Sequence, residues 1–164
     1  MDIILKRSIE WLDRLIAFDT TSRLSNLDLI SDIEKYMNEL GVPTRLTHDK
    51  DKTKANLWCT IGPQDIGGVV LSGHTDVVPI DGQEWTKTPF RMSEESGKLF
   101  GRGTSDMKGF CAIALAMAPE MKSRDLKVPI HFAFSFDEEV GCVGVRHLIK
   151  AVSYTHLTLP TNGT

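Results

Sequence analysis

The sequence predicts an α/β fold: a mixed, largely parallel sheet flanked by helices. Three observations predict it. Strand-like and helix-like stretches alternate along the chain, the pattern that lays helices on a sheet. The run Val69-Val70-Leu71 is apolar at successive positions, as in a central strand covered on both faces. Polar residues of the metal-ligand type stand beside strand ends, where such sheets gather their ligands: His74, Asp106 and Asp137-Glu138-Glu139.

The first helix is predicted over residues 3–18, where Ile4, Leu5, Ile9, Leu12, Leu15 and Ile16 recur at helical spacing with Asp13 and Arg14 outward. Asp19-Thr20-Thr21-Ser22 ends it. Ser25 or Asn26 caps a second helix with Leu29, Ile30, Ile33, Met37 and Leu40 on its apolar face. Gly41 stops that helix and Pro43 keeps it stopped. Strands follow at residues 44–47, 55–61 and 68–72. Residues 81–99 are polar and turn-rich, a loop plus a hairpin with strands at 90–93 and 98–101. A strong helix is predicted over 106–121, with Phe110, Ile113, Ala114, Met117 and Met121 on one face. Residues 128–136 are β-branched and aromatic, hence a strand, and 141–150 form a short helix. Beyond Lys150 the character changes. Residues 151–164 contain no Asp, Glu, Lys or Arg, and the run 153–164 follows neither period convincingly. Residues 1–150 are therefore taken as the folded unit. Residues 151–164 are taken as a non-native or disordered tail, similar to translated cloning sequence.

A chain of 164 residues can bury one real core. Its 41% hydrophobic and 25% charged content is that of ordinary globular proteins. A net charge of −3 leaves no basic footprint for nucleic acid or an anionic membrane. No window has the apolar length of a membrane span, and the N-terminus lacks the basic-then-apolar layout of a signal peptide. Cys59, Cys111 and Cys142 form no C-x-x-C pair, and each sits in an apolar run. Reduced, core-packed thiols and a cytoplasmic location are expected.

The chemistry concentrates in three places. His74-Thr75-Asp76 alternates, so on an extended backbone Asp76 lies on the same side as His74 and can hold its second ring nitrogen. The bland alternative is a surface H-x-D. Asp106 follows Gly101-Arg102-Gly103-Thr104-Ser105 and is either a metal ligand or simply an acidic residue opening a helix. These glycines do not match the spacing of a nucleotide fingerprint, since G-x-G-x-x-G would need glycine at position 106. Asp137-Glu138-Glu139 is either a solvated acidic turn or a set of like charges gathered by a cation. Histidine, aspartate and glutamate are donors a catalytic zinc prefers. The sites are 106 − 74 = 32 and 139 − 106 = 33 residues apart, so only a fold uniting several strand ends brings them together.

Four ordered motifs carry a resemblance: Ser72-Gly73-His74-Thr75-Asp76-Val77-Val78-Pro79, Trp85-Thr86-x-x-Pro89-Phe90, Gly101 through Gly109 (GRGTSDMKG), and Asp137-Glu138-Glu139-x-Gly141. Together they resemble the two-zinc amidohydrolase and peptidase family, which includes deacetylases, desuccinylases, aminoacylases and carboxypeptidases. Phe18-Asp19-Thr20-Thr21-Ser22 and the segment from Glu138 to Gly144 resemble the bacterial acetylornithine deacetylase branch in particular. The resemblance runs over residues 1–150, the N-terminal part of a catalytic domain without its lid and dimerisation domain.

The resemblance implies two zinc ions, with cobalt as a possible substitute. His74 would bind one ion, Asp106 would bridge both and Glu139 would bind the other. Glu138 would be the general base, and Asp76 would orient His74. It also implies a cis Asp106–Met107 peptide. The expected activity is metal-dependent hydrolysis of N-acyl amino acids, N-acetylornithine giving ornithine and acetate, in a homodimer of the full-length parent. Family enzymes are more than twice this long and carry a further acidic ligand and a late histidine, so this chain is expected to be an inactive fragment. A desuccinylase, aminoacylase or dipeptidase of the same family, or a non-catalytic metal-binding α/β module, are the competing expectations.

Overall fold

A computed structural model describes residues 2–153. The elements run α1 (Ile3–Ile16), α2 (Leu27–Glu39), β1 (Thr44–His48), β2 (Ala55–Ile61), β3 (Val69–His74), β4 (Ser93–Glu95), β5 (Lys98–Phe100), α3 (Lys108–Lys122), β6 (Ile130–Ser135) and α4 (Val143–Ser153). The main sheet has the order β1-β2-β6-β3.

The sheet is mixed, as expected, but among the described residues its parallel share is smaller than predicted. Only β3 and β6 pair in parallel; β1–β2 and β2–β6 are antiparallel. Connection lengths explain the difference. The short turn between β1 and β2 returns the chain beside itself, whereas α3 supplies the crossover that a parallel pair needs. Nor is β3 central. It lies at the edge of the described sheet, with Val69 57% and Val70 41% exposed.

Helices cover both faces. Leu57, Cys59 and Ile61 of β2 and Phe132 and Phe134 of β6 alternate onto one face and meet α1, α2 and α3 in the main core. Trp58 and Ala133 point the other way, against Leu148 and Val152 of α4. His131 joins that second face, its ring stacked on Trp58 at 4.8 Å.

Local chemistry accounts for the shifts in element boundaries. In α2 the two candidate caps divide the work. The Ser25 hydroxyl accepts from Leu27 N at 3.1 Å, while the Asn26 side chain bonds Ala55 and Thr75 instead. The hairpin strands fall at 93–95 and 98–100 because Ser96 (φ 52°) and Gly97 (φ 70°) form a two-residue turn of the I′ type.

α3 departs most from expectation. It begins at Lys108, not at Asp106, and its buried face is Cys111, Ala112, Ala114, Leu115, Ala116 and Ala118. Ile113 is 54% exposed and Phe110 is also exposed. Apolar residues surround this helix, so spacing alone does not select a face, and the small alanines are what permit close packing. Pro119 inside α3 has no N–H to give to Leu115 O, and the Tyr36 hydroxyl donates there instead at 3.1 Å.

Cys59 and Cys111 are buried as expected, and burial pushes both thiols up to about 12. Cys142 is exposed, because it occupies a left-handed turn position (φ 54°) before α4. No helix among the described residues is long and apolar enough to cross a membrane. Of the tail predicted over 151–164, the first three residues close α4 and the remainder lies outside the described residues.

Candidate metal centre

His74 is the last residue of β3, one step earlier in the architecture than the predicted position past the strand end. Its placement depends on Gly73. A Cβ there would lie 2.8 Å from Cys111 Sγ and 3.1 Å from Phe110 Cδ1, so only glycine lets β3 approach α3 this closely. Asp106 arrives from the turn before α3, and its peptide bond to Met107 is cis, as the family resemblance implies. Lys108 fixes the start of α3: its buried ammonium donates to Leu15 O at 2.9 Å and Phe18 O at 2.7 Å, at the end of α1. Burial brings that ammonium down to about 8.

The acidic turn follows β6. Asp137 adopts a left-handed backbone (φ 54°), which breaks the strand and redirects the next two residues. Gly144 closes the turn against the strand: a Cβ there would sit 2.2 Å from Phe136 O.

These three segments converge. Ligand atoms of His74, Asp106 and Glu139 all lie within 4.8 Å of one another. His74 Nε2 is 3.1 Å from Asp106 Oδ1 and 3.7 Å from Glu138 Oε2. His74 Nδ1 is 2.9 Å from the Asp76 carbonyl oxygen. A carbonyl only accepts, so Nδ1 carries a hydrogen and Nε2 is the nitrogen turned to Asp106.

Asp76 is near His74 as predicted, but its carbonyl, not its carboxylate, is the closer partner. The carboxylate stands 3.5 Å from Nδ1. Its oxygens accept from Ser22 Oγ (2.8 Å), Glu138 N (3.1 Å) and Glu139 N (3.2 Å). Asp76 thus binds the histidine strand to the acidic turn. Burial disfavours its charge, yet His74, Ser22 and the two amides outweigh burial and hold its carboxyl below the usual range.

The electrostatics suit a cation. Burial works against a charged His74, but the hydrogen bonds and charge of Asp76, and then Asp106, lift it to about 9. Burial raises Glu139, and the negative charge of Asp106 adds to the rise. Carboxylates crowded until one resists ionising, beside an imidazole that attracts positive charge, are a donor set that could hold a metal ion.

Two contributors escaped the sequence. Ser22 was visible only as a residue ending α1, within the motif Phe18 to Ser22. Lys54 carried no local signal; it reaches Asp137 Oδ1 at 2.6 Å from 83 residues away. His48 is exposed and His131 stacks on Trp58, and neither belongs to the donor cluster.

Comparison with known proteins gives the family of the chain. The model of peptidase family M20/M25/M40 matches residues 70–162, more than half of the chain. An acetylornithine deacetylase of Shigella sonnei is 37% identical over 130 residues, covering 79% of this chain and 34% of the relative. The chain therefore spans about a third of that curated relative's length. Among solved structures, the metallo-carboxypeptidase Sso-CP2 of Sulfolobus solfataricus superposes with a TM-score of 0.72 at 23% identity, covering 94% of this chain and 35% of that one. The YXEP protein of Bacillus subtilis, described as a dinuclear metal binding peptidase, gives a TM-score of 0.62 at 21% identity, covering 93% of this chain and 41% of that one. With its family match spanning the His74, Asp106 and Glu139 cluster, the chain belongs to peptidase family M20/M25/M40.

Proposed function

We propose that residues 1–150 are the N-terminal part of the catalytic domain of a cytoplasmic two-zinc amidohydrolase that cleaves N-acetylornithine to ornithine and acetate. The observation that carries the substrate is the 37% identity to an acetylornithine deacetylase. The metal assignment is supported by the donor cluster of His74, Asp106 and Glu139. His74 and Asp106 would hold one ion, and Asp106 and Glu139 the other, with Co2+ able to replace Zn2+. When bound, the ions would supply Lewis acidity and acidify a water molecule. Glu138 lies beside the cluster without belonging to it, the place for a general base. Its carboxylate would take a proton from water and return it to the departing amine. A non-catalytic metal-binding module gives no reason for this second, half-exposed carboxylate.

Each ion would have two donors from this chain, one fewer than the three of a usual catalytic zinc. The 164-residue chain alone is therefore expected to turn over little or no substrate. The full-length parent would supply the remaining donors and act as a homodimer on a small N-acyl amino acid, without nucleic acid or membrane partners. The test compares N-acetylornithine with N-succinyl-diaminopimelate in that parent. Faster release of ornithine supports the reading; preference for the succinyl substrate replaces it with a desuccinylase. Glu138→Gln should retain metal and lose on the order of 10²-fold or more in turnover. Near-native turnover in that variant would remove Glu138 from the base role.

A further inference from the structure

We propose that Ser22, Lys54 and Asp137 form a positioning ring that aims Glu138 and Glu139 at the metal centre. The proposal rests on the metal-centre reading above. The ring can be followed bond by bond. The Ser22 hydroxyl donates to Asp76 Oδ2 at 2.8 Å, and the Ser22 carbonyl accepts from Lys54 Nζ. Lys54 Nζ also donates to Asp137 Oδ1 at 2.6 Å. Asp137 leads directly into Glu138, whose N–H donates to Asp76 Oδ1 at 3.1 Å and closes the circuit. The Lys54 and Asp137 side chains are each only 15% exposed, so water competes weakly for the pair.

The ring solves the problem of three adjacent acids. Left to repulsion, Asp137, Glu138 and Glu139 would spread apart, and any of them could compete for a cation. Lys54 neutralises Asp137 and draws it toward Ser22, away from the donor cluster, which does not include it. The left-handed backbone at Asp137 then presents Glu138 and Glu139 toward His74, with both amides held by the Asp76 carboxylate. Lys54 is in turn delivered by the β1–β2 turn, where Asp49 Oδ1 accepts from Thr53 N (2.8 Å) and Lys54 N (2.9 Å).

The experiment uses the 164-residue chain and the variants Lys54→Met, Lys54→Arg, Asp137→Asn and the Lys54→Met/Asp137→Asn pair. Three quantities are read: Co2+ affinity with its visible absorption spectrum, amide hydrogen exchange after chelator treatment, and the urea midpoint. Lys54→Met should weaken Co2+ about 10-fold or more, the scale of outer-shell effects on metal sites. It should also alter the spectrum and speed exchange at the Glu138 and Glu139 amides, leaving the Leu57 amide in β2 unchanged. Lys54→Arg should restore most of the affinity. The double variant should be less impaired than the two single losses added, because without the Asp137 charge the lysine has nothing to neutralise. If Lys54→Met fails to fold, Asp137→Asn alone should still speed exchange at Glu138 and Glu139. A lowered urea midpoint with Co2+ affinity, spectrum and local exchange unchanged would overturn the proposal and leave a plain stabilising ion pair. A wild type that binds no Co2+ would show that the donors of this chain do not suffice for a metal site, and the ring's purpose here would fall with it, a failure told apart because the unmutated chain itself is silent.

Discussion

The two sides of the centre are built differently. His74 and Asp76 are 4% and 2% exposed and belong to the protein interior. The side chains of Asp106 and Glu138 are 75% and 46% exposed and stand at its mouth. The buried side is held by side-chain hydrogen bonds that also hold the fold. The open side is held through its backbone, by the turn before α3 and by the amides bound to Asp76. Stability and metal binding should therefore separate across the centre, and mutation can reveal the divide.

The largest effect should come from Asp76→Ala on the buried side. It strands the Ser22 hydroxyl and the amides of Glu138 and Glu139, and unfolding free energy should fall by about 3 kcal/mol. Metal affinity should collapse in the same variant; urea titration and calorimetry with Zn2+ check the two losses together. Asp106→Asn on the open side should lose metal without losing stability. Its stability should stay within about 0.5 kcal/mol of wild type, as for exposed substitutions, while Zn2+ affinity falls on the order of 10²-fold. Equal stability losses in the two variants would erase the distinction.

A pH series sharpens the contrast further. In chelator-treated protein the hydrogen bonds and charge of Asp76 should hold His74 at about 9 against the opposing effect of burial, above its ordinary 6.5. The folded state then holds the extra proton, so the His74 contribution to stability declines with rising pH; it is read most cleanly below about 8, where Lys108 begins to act with the opposite sign. The contribution is complete below pH 6.5 and lost as pH climbs through about 9. Urea midpoints in that range should show the slope, and His74→Gln should flatten it. The smallest effect should be Tyr36→Phe, far from the centre. Leu115 O loses its hydroxyl donor, costing about 1 kcal/mol, and Zn2+ affinity should not change.

Much of this was legible in the sequence, for identifiable reasons. His74, Asp106 and the acidic triplet at 137–139 stood out as ligand-type residues at strand ends, the family resemblance singled out Glu139 among the three acids, and the structure brings His74, Asp106 and Glu139 together. The α2 core face followed from helical spacing, and β6 from its β-branched and aromatic content. The buried face of α3 did not, because a helix apolar all round has no preferred side until its partner is known. The edge position of β3 was hidden for a similar reason: its apolar run looks central whether or not a neighbour is present. The roles of Ser22 and Lys54 were illegible because they lie in contacts 32, 54 and 83 residues apart in sequence.

The parallel β3–β6 pair has a last consequence, for how the centre comes into being. Val69 pairs with Ile130, a sequence separation of 130 − 69 = 61 residues, and His74 pairs with Ser135 across the same span. Contacts of such range cost the most loop entropy before they repay it and slow the search for the native topology. The β1–β2 hairpin and the helices can form early from near neighbours. The donor cluster needs β6 docked beside β3 and the crossover α3 in place, so metal capture should come late in folding and report on its completion.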